Sequence, residues 1–217
     1  MRTTSLSPCC LCHSETTEAY HTDKRRRYLY CPRCHLVFVP TECHLTLEAE
    51  KNEYLKHENN PNDAGYRRFL NRVCAPLLAR LPPKSTGLDF GCGPGPTLSV
   101  MLTEHGHDVA LYDPFFASQA EVLQNDYQFI TATEVVEHLR APGPTLDQLW
   151  RQLQPGGWLA VQTKRVRDPE AFKTWHYIHD PTHISFFDAR TFDWLAHRWG
   201  TSAEFIDHDV VFFQKPL

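Results

Sequence analysis

Residues 88–95 read LDFGCGPG, a short apolar strand that runs into a glycine-rich turn before a helix. Gly91, Gly93 and Gly95 form a Gly-x-Gly-x-Gly turn, where the backbone can approach a ligand closely because no Cβ lies in the way. The spacing differs from the Gly-x-Gly-x-x-Gly of nicotinamide and flavin enzymes, and no phosphate-binding lysine follows it. The stretch therefore predicts a ligand-binding turn of another type.

Two carboxylates strengthen this interpretation. Asp89 lies inside the strand that leads into the turn, and Asp113 ends the next predicted strand, DVALYD. A carboxylate at the end of the second strand can accept hydrogen bonds from ribose hydroxyl groups. The turn and the two carboxylates together predict a nucleoside-containing ligand.

Strands and helices alternate from Thr86 to the end of the chain, and this pattern predicts an α/β fold with a doubly wound sheet. Ligands bind such sheets at the carboxyl ends of the strands. Asp188 is expected to cap the last helix. The predicted strands are GLDFG, DVALYD, YQFITAT and WLAVQT with a terminal hairpin in AEFIDHDVVFFQK, and the predicted helices are TLSVMLTEHG, ASQAEVLQN, TLDQLWRQLQPGG and DARTFDWLAHRWG.

Four of the eight cysteines form two Cys-x-x-Cys pairs, Cys9/Cys12 and Cys31/Cys34, separated by 18 residues. This spacing is typical of a tetrahedral zinc site built by two turns. A redox role is disfavoured because neither pair opens a helix after a strand. We therefore expect three regions: a zinc-binding module in residues 1–40, a helical connector or lid in 41–83, and the ligand-binding domain in 84–217.

The composition is that of an ordinary soluble protein, with 217 residues, of which 41% are hydrophobic and 22% charged. No apolar run approaches the ~20 residues of a membrane span, and the N-terminus lacks a secretory h-region. These features predict a cytoplasmic protein without membrane contact. The net charge of −4 argues against a protein that coats nucleic acid, although residues 1–40 carry six Lys/Arg against three Asp/Glu.

The ordered stretches LDFGCGPG, LYDP, FITATEVVEHL and LQPGGWLAVQT resemble the motif series of class I S-adenosylmethionine-dependent methyltransferases. The resemblance covers roughly residues 54–217. It implies a Rossmann-like, seven-stranded sheet whose last strand is antiparallel. Only thirteen residues separate Asp113 from Tyr127, so the third strand is expected to be shortened or absent. The N-terminal cysteine module resembles that of bacterial methyltransferases whose substrates are unassigned.

The resemblance also implies roles for individual residues in holding S-adenosylmethionine. Asp113 would hold the ribose, and Tyr66 or Arg67 would close over the methionine end. The other implied cofactor contacts are Asp89 beside the turn, Gly91, Cys92, Gly93 and Gly95 around the amino-acid part and sulfur, Pro114 and Phe115 against adenine, and Thr133 and Glu134 near the methyl group.

Glu134, Glu137 and His138 follow the predicted strand YQFITAT at the spacing of one helical face, if a helix begins at Glu134. Two methyltransferase branches, the ubiquinone-pathway O-methyltransferases and the enzymes that methylate the 3′-terminal ribose of small RNAs, resemble this stretch and bind a divalent metal there. In the second branch a further histidine completes the site, and His183 has that placement. Such ligands suit Mn²⁺, Co²⁺ or Fe²⁺. Without a metal, His138 is a candidate general base, and a solvated helix face is the third interpretation.

The stretch WHYIHDPTHISFF, residues 175–187, is expected to line the substrate pocket with histidines and aromatic rings, and Pro181 argues against a helix there. Tyr54, His57 and Asn59 are candidates for the opposite wall. The basic run KRRR, residues 24–27, is interpreted either as a solvated turn or as a site for RNA or an acidic substrate. We therefore expect a methyltransferase that acts on a small molecule at oxygen or nitrogen; the alternatives are an RNA methyltransferase and a non-catalytic adaptor.

Overall fold

The computed structural model describes residues 7–56 and 59–217. The strands are β1 (Glu18–Thr22), β2 (Arg27–Tyr30), β3 (Val37–Phe38), β4 (Thr86–Phe90), β5 (Asp108–Tyr112), β6 (Tyr127–Thr133), β7 (Leu153–Gln162), β8 (Ser185–Phe186), β9 (Ala203–Phe205) and β10 (Val210–Gln214). The α-helices are α1 (Leu47–Tyr54), α2 (Ala64–Leu78), α3 (Thr97–Glu104), α4 (Pro142–Gln152), α5 (Pro169–Lys173) and α6 (Ala189–Trp199). Within these two ranges, four 3-10 helices span Thr41–Cys43, Ala120–Gln124, Val136–His138 and His176–His179.

The larger sheet has six strands within the described ranges, in the order β5-β4-β6-β7-β10-β9. β4 pairs in parallel with β5 and β6, and β6 pairs in parallel with β7. β10 runs antiparallel to both β7 and β9. The predicted α/β class and the antiparallel last strand are thus confirmed, and the carboxyl ends of the parallel strands meet at one edge.

Helices cover both faces of this sheet. α2 and α3 pack on one face through Leu70, Val73 and Met101, which contact Phe129 of β6 and Phe212 of β10 in one buried cluster. The helices α4 and α6 belong to a second cluster on the other face, with Leu146, Leu149, Phe192 and Leu195 against Ile130, Leu159 and Val161. Burial of both faces explains why these strands are almost wholly apolar.

The third strand of the expected seven is absent from the segment between Asp113 and Tyr127. A single bridge joins Asp113 to Ala117, and a 3-10 helix at Ala120–Gln124 replaces the α-helix predicted in ASQAEVLQN. The Asp113 carboxylate accepts the backbone N–H groups of Phe115 (2.8 Å) and Phe116 (3.1 Å), which turns the chain back immediately. Thirteen residues are too few to form both a helix and a strand, so the sheet lacks the third of the seven expected strands.

The prediction of an α-helix beginning at Glu134 is wrong. Glu134 has a φ of +53°, and only Val136–His138 form a short 3-10 helix. The Glu134 N–H instead donates to the carbonyl of Gln162 on β7, at 2.8 Å. A left-handed residue cannot start a right-handed helix, so the segment leaves the sheet as a turn. The helix predicted in TLDQLWRQLQPGG is also too long, because β7 already begins at Leu153.

The N-terminal strands form a small sheet with the order β1-β2-β3-β8. The fourth strand, β8, lies about 150 residues further along the chain than β3. Val37 pairs with Phe186, and Phe38 pairs with Ser185. The cysteines of this region belong to the same buried cluster as Leu146 of α4 and Phe187. The backbone at Gly143 lies so close to Leu11 that an added Cβ would be 2.1 Å from the Leu11 carbonyl oxygen. The cysteine region therefore packs directly on the larger sheet's helical layer. Among the described residues, no helix has the length and apolar character that crossing a membrane requires.

Candidate functional site

A cavity of about 690 Å³ opens at the carboxyl ends of β4, β5, β6 and β7. The glycine turn forms one end of it. The N–H groups of Gly91 and Cys92 both donate to the Tyr112 carbonyl, at 2.7 and 3.2 Å, which fixes the turn to the end of β5. Gly91 and Gly93 have φ angles of +73° and +64°, a region that residues with a Cβ rarely adopt.

The three glycines of the turn are needed for different reasons. A Cβ at Gly91 would lie 2.4 Å from a methyl group of Val135, and one at Gly95 would lie 2.0 Å from the Asn59 carbonyl oxygen. At these two positions the absence of a Cβ lets Val135 and Asn59 pack directly against the turn. A Cβ at Gly93 would meet only the Asn59 side-chain amide, at 3.4 Å, so Gly93 presents its backbone to the cavity.

Asp113 and Asp89 both line the cavity. Asp113 is 7% exposed, and its second oxygen accepts the Gly93 N–H at 3.1 Å. Asp89 is 4% exposed, and its Oδ1 accepts the Thr131 hydroxyl at 2.8 Å. Burial raises the pKa of the Asp89 carboxyl to about 6 against the opposing effect of the Thr131 hydrogen bond. The two carboxylates make this end of the cavity acidic, which suits a ligand carrying hydroxyl or cationic groups.

Thr133 and Glu134 lie where β6 enters the cavity. The Thr133 hydroxyl oxygen and Glu134 Oε1 are both buried without a hydrogen-bond partner among the described residues. Burial, and next the neighbouring Glu137 carboxylate, raise the pKa of Glu134 to about 9. Buried polar atoms without partners are unusual in proteins, and both residues belong to the lining of the cavity.

The other predicted cofactor contacts differ in their placement. Tyr66, Cys92, Pro114 and Phe115 line the cavity. Arg67 does not belong to the lining; its guanidinium forms an ion pair with Glu104 and donates to the Pro61 carbonyl at 3.2 Å. Of the two residues expected over the methionine end, Tyr66 is the one that the fold directs into the cavity.

At the far end of the cavity, Glu137, His138 and His183 each place one ligand atom within 4.8 Å of the others. The two imidazole rings are 4.7 Å apart between centroids. His138 Nδ1 lies 3.2 Å from the Thr182 carbonyl, and His183 Nδ1 lies 2.7 Å from the Tyr177 carbonyl. Since a carbonyl only accepts, both rings carry a proton on Nδ1. Glu134 lies outside this cluster.

Glu137 is completely buried. Its Oε1 accepts the Tyr177 hydroxyl, and its Oε2 is buried without a partner among the described residues. Burial raises the pKa of Glu137, whereas burial lowers the pKa of His183 below its usual value. A carboxylate and two imidazoles are donors that a divalent transition metal accepts, and a buried carboxylate oxygen without a partner in this cluster fits such an ion.

Several residues of the cavity wall were not predicted as site residues. Glu50 of α1 is buried, accepts the Tyr54 hydroxyl at 3.0 Å and forms an ion pair with Arg140. Lys164 follows β7, contacts His176 Nε2 at 2.9 Å, and has its ammonium 5.3 Å from the centre of the Tyr177 ring. Its place just after a parallel strand is a usable sequence signal. Glu50 carries no such signal, since nothing in the helix pattern marks it as buried.

The predicted pocket walls are partly formed as expected. Tyr54 and Asn59 line the cavity on one side, and His176 and His183 line it on the other. The 176–183 stretch is not α-helical, which confirms the inference from Pro181. His179 is exposed to solvent instead. His57 lies outside the described residues.

The four N-terminal cysteines form a second, separate cluster. The Sγ atoms of Cys9 and Cys34 are 3.4 Å apart, those of Cys12 and Cys31 are 3.5 Å apart, and all four lie within 4.8 Å of one another. A tetrahedral Zn²⁺ with Zn–S bonds of about 2.3 Å separates its sulfur ligands by about 3.8 Å. The thiols are therefore close to the arrangement that zinc requires, and Cys10 is not part of the cluster.

The two cysteine turns repeat the same hydrogen-bond pattern. The His13 N–H donates to the Cys9 carbonyl at 2.9 Å, and the His35 N–H donates to the Cys31 carbonyl at 2.8 Å. His13 and His35 have φ angles of +56° and +62°. Two matching turns that each direct two thiols to one point fit a bound Zn²⁺ better than four unrelated buried cysteines.

A family model described as a methyltransferase domain matches residues 65–203, well over half of the chain. The chain belongs to this methyltransferase domain family. The match runs from α2 through the glycine turn to the start of β9, and so includes both ends of the cavity.

Three known proteins are similar to this methyltransferase domain. The ubiquinone biosynthesis O-methyltransferase of Sodalis glossinidius (strain morsitans) is 29% identical over 100 residues, which are 46% of this chain and 40% of that enzyme. The chain thus spans less than half of this relative. An O-methyltransferase family protein from Burkholderia thailandensis matches with a TM-score of 0.53 and 11% identity over 69% of this chain and 55% of its own.

The third is 1,6-didemethyltoxoflavin-N1-methyltransferase from Burkholderia thailandensis, whose structure holds 1,6-didemethyltoxoflavin and S-adenosylhomocysteine. Its TM-score is 0.52 at 15% identity, and the match covers 92% of this chain and all of that one. At these identities the likeness establishes the methyltransferase fold.

Proposed function

We propose that this protein transfers a methyl group from S-adenosylmethionine to a small hydroxylated molecule. The observation that carries the proposal is the single cavity that connects the glycine turn and Asp113 at one end to His138 and His183 at the other. A methyl donor at the first end and an acceptor at the second would meet near Thr133 and Glu134. Most of the rate gain in such a displacement comes from in-line positioning, which a shared cavity provides.

The donor end has the features that S-adenosylmethionine requires. Asp113 would accept the ribose hydroxyls while its hydrogen bond from Gly93 keeps the turn in place. Tyr66 would close over the methionine part, and Pro114 and Phe115 offer apolar surface for adenine. When bound, this cofactor supplies an electrophilic methyl group on a sulfonium, and the carboxylates of Asp89 and Asp113, which line the same end of the cavity, favour that positive charge.

At the acceptor end, Glu137, His138 and His183 would hold a divalent ion such as Mn²⁺ or Co²⁺. The ion would lower the pKa of an acceptor hydroxyl. Tyr177 keeps the Glu137 carboxylate oriented, and the carbonyls of Thr182 and Tyr177 fix the imidazole tautomers. In the absence of an ion, His138 would act as the general base for the same hydroxyl.

A small acceptor is favoured over RNA by the shape and surroundings of the site. The Tyr54 ring contacts the His138 ring at the acceptor end, with a centroid distance of 5.3 Å, and also contacts the Phe115 ring at 5.7 Å, so aromatic side chains wall the cavity beside His138. The similarity to a ubiquinone biosynthesis O-methyltransferase supports oxygen as the methylated atom. A non-catalytic adaptor is disfavoured, because both ends of the cavity retain their polar groups.

The test is turnover of labelled S-adenosylmethionine with a panel of catechols, phenols and polyhydroxylated acids. We expect label transfer to at least one of them, dependence on Mn²⁺ or Co²⁺ after chelation, and loss of transfer in His183→Ala with cofactor affinity retained. Turnover unaffected by His138→Ala and by His183→Ala would overturn the assignment of the acceptor end. If the protein did not bind S-adenosylmethionine, the assignment of the donor end would be overturned as well.

A further inference from the structure

The acceptor end of the cavity depends on one irregular segment, residues 176–184, which we call the acceptor loop. It begins with the 3-10 helix His176–His179 and ends at Ile184, and it carries Tyr177 and His183. One edge of the loop contacts the turn after β6. The Thr182 carbonyl lies 3.2 Å from His138 Nδ1, and the Ile184 N–H donates to the Glu137 carbonyl at 2.8 Å.

The opposite edge of the loop contacts the N-terminal hairpin through Arg26, which lies between β1 and β2. The Arg26 guanidinium donates to three backbone carbonyls of the loop: Ile178 at 2.9 Å, Asp180 at 2.9 Å and Pro181 at 3.0 Å. Its neighbour Arg25 donates to the His179 carbonyl at 2.8 Å. The loop is thus held between the hairpin on one side and the His138 segment on the other.

Arg26 is not a solvated surface cation. It is 7% exposed, and its Nε donates to the Tyr28 hydroxyl at 3.0 Å. A buried guanidinium is costly unless its N–H groups are satisfied, and here the loop carbonyls satisfy them. The loop and the arginine therefore stabilise each other: without Arg26 three loop carbonyls each lose a hydrogen bond, and without the loop the guanidinium keeps, among the described residues, only its hydrogen bond to the Tyr28 hydroxyl.

The hairpin that carries Arg26 is set in place by the cysteine cluster. β2 leads directly into Cys31, β3 follows Cys34, and β3 pairs with β8 immediately after the loop. The Val39 N–H also donates to the Ile184 carbonyl at 2.8 Å. The cysteine turns, the hairpin and the two ends of the loop form one connected unit.

We propose that Arg26 is a positioning residue that holds the acceptor loop in the conformation needed to bring Tyr177 and His183 to the cavity. The N-terminal cysteine module is thereby a structural part of the acceptor site, and the integrity of its metal centre controls the order of the loop. Naming this end of the cavity the acceptor site rests on the proposed function, whereas the contact between Arg26 and the loop does not.

This proposal gives the basic run a specific role. Lys24, Arg25 and Arg27 are exposed, and Arg27 forms an ion pair with Glu42. Within the run, only Arg26 is buried, and Arg25 reaches the loop from the surface. The sequence was interpreted as a solvated turn or as a site for RNA or an acidic substrate, and neither interpretation distinguishes Arg26 from its neighbours.

Hydrogen exchange measured on the full-length zinc-containing protein tests the proposal. In Arg26→Gln we expect amides of residues 176–184 to exchange at least tenfold faster than in the wild type, with no change in residues 88–95. Arg27→Gln, which alters the adjacent exposed arginine, is the matched control and should leave the loop unchanged. Arg26→Lys keeps the charge and part of the donor set, so it should restore part of the protection.

A second arm uses the wild-type protein and a zinc chelator that strips the cysteine cluster, and it should reproduce the faster exchange of the loop. Calorimetry with S-adenosylhomocysteine serves as a separate readout: Arg26→Gln should bind it within about twofold of the wild type, because the glycine turn is remote from the hairpin. Equal loop exchange in Arg26→Gln and Arg27→Gln would overturn the proposal. If the wild-type protein itself did not bind S-adenosylhomocysteine, that result would contradict the proposed function and would leave the role of Arg26 untouched.

Discussion

Asp113 has two tasks at the residue scale, because its carboxylate holds the turn as well as facing the cavity. One oxygen accepts the Phe115 and Phe116 N–H groups, and the other accepts the Gly93 N–H. We expect Asp113→Ala to weaken S-adenosylhomocysteine binding about ten- to a hundredfold, the equivalent of ~1.5–3 kcal/mol for a charge-assisted hydrogen bond. Calorimetry measures the change directly.

Asp113→Asn separates the two tasks. The amide oxygen can still accept the Phe115 and Phe116 N–H groups, whereas the charge and one acceptor are lost, so its affinity should lie between those of the wild type and Asp113→Ala. Asp108→Ala, at the exposed start of the same strand, is the control and should bind normally. An Asp113→Ala protein with wild-type affinity would refute the ribose assignment.

The raised pKa of the Asp89 carboxyl should make the stability of the folded protein depend on pH. Burial raises the pKa of its carboxyl from 3.8 to about 6 in the folded state. Between these values the folded state binds more protons than the unfolded state, so the stability of the cofactor-free protein falls as the pH rises. The loss is complete above pH 6 and is on the order of 3 kcal/mol.

Asp89→Asn lacks this ionisation and keeps an oxygen for the Thr131 hydroxyl. The Tm of the variant relative to the wild type should therefore increase from pH 4 to pH 6 and stay level above it. Calorimetric scans at several pH values provide the measurement, and a Tm difference that is the same at all of them would contradict a buried, proton-binding Asp89.

At the scale of the elements, the parts of the site that follow strand ends could be predicted from the sequence. The glycine turn, Asp113 and the meeting of His138 with His183 depend only on strand order and on parallel strands ending at one edge. Asp188 likewise caps α6, with its Oδ1 accepting the Thr191 N–H at 2.8 Å.

The elements that were missed depend on contacts between distant segments. Glu134 adopts its left-handed conformation where its N–H meets the Gln162 carbonyl and Val135 packs against Gly91, and neither contact has a local signal. β8 has only two residues, and it is a strand solely because β3 lies beside it. Arg26 is one of four consecutive basic residues, and only the tertiary fold distinguishes it.

The two cysteine turns act as one element, and they predict one tightly bound Zn²⁺ per chain. Metal analysis of protein purified without a chelator should find about one equivalent. The double variant with Cys31→Ser and Cys34→Ser removes half of the ligands and should lose it. Cys10→Ser is the matched control, because Cys10 faces Ser185 at 3.9 Å rather than the cluster. Full zinc content in the double variant would eliminate the site.

At the scale of the whole molecule, the sequence pattern predicts a boundary at residue 40 between the cysteine region and the rest of the chain. In the structure, the two regions share one sheet and one buried cluster across that boundary. β8 completes the N-terminal sheet, and the cysteines lie in the same buried cluster as residues of α4 and α6. Separate domains would show few contacts across the boundary. The shared sheet and core instead favour cooperative unfolding of the chain as a unit.

We therefore expect a single calorimetric transition for the zinc-containing protein. Removal of zinc should shift this transition as a whole to lower temperature, since a loss of even 3 kcal/mol lowers the Tm of a chain of this size by about 6–12 °C. Saturating S-adenosylhomocysteine should raise the same Tm, because a ligand that binds only the folded state stabilises it. If chelation produced a separate low-temperature transition and left the main one unmoved, the module would be an independent domain, and its coupling to the acceptor loop would have no structural basis.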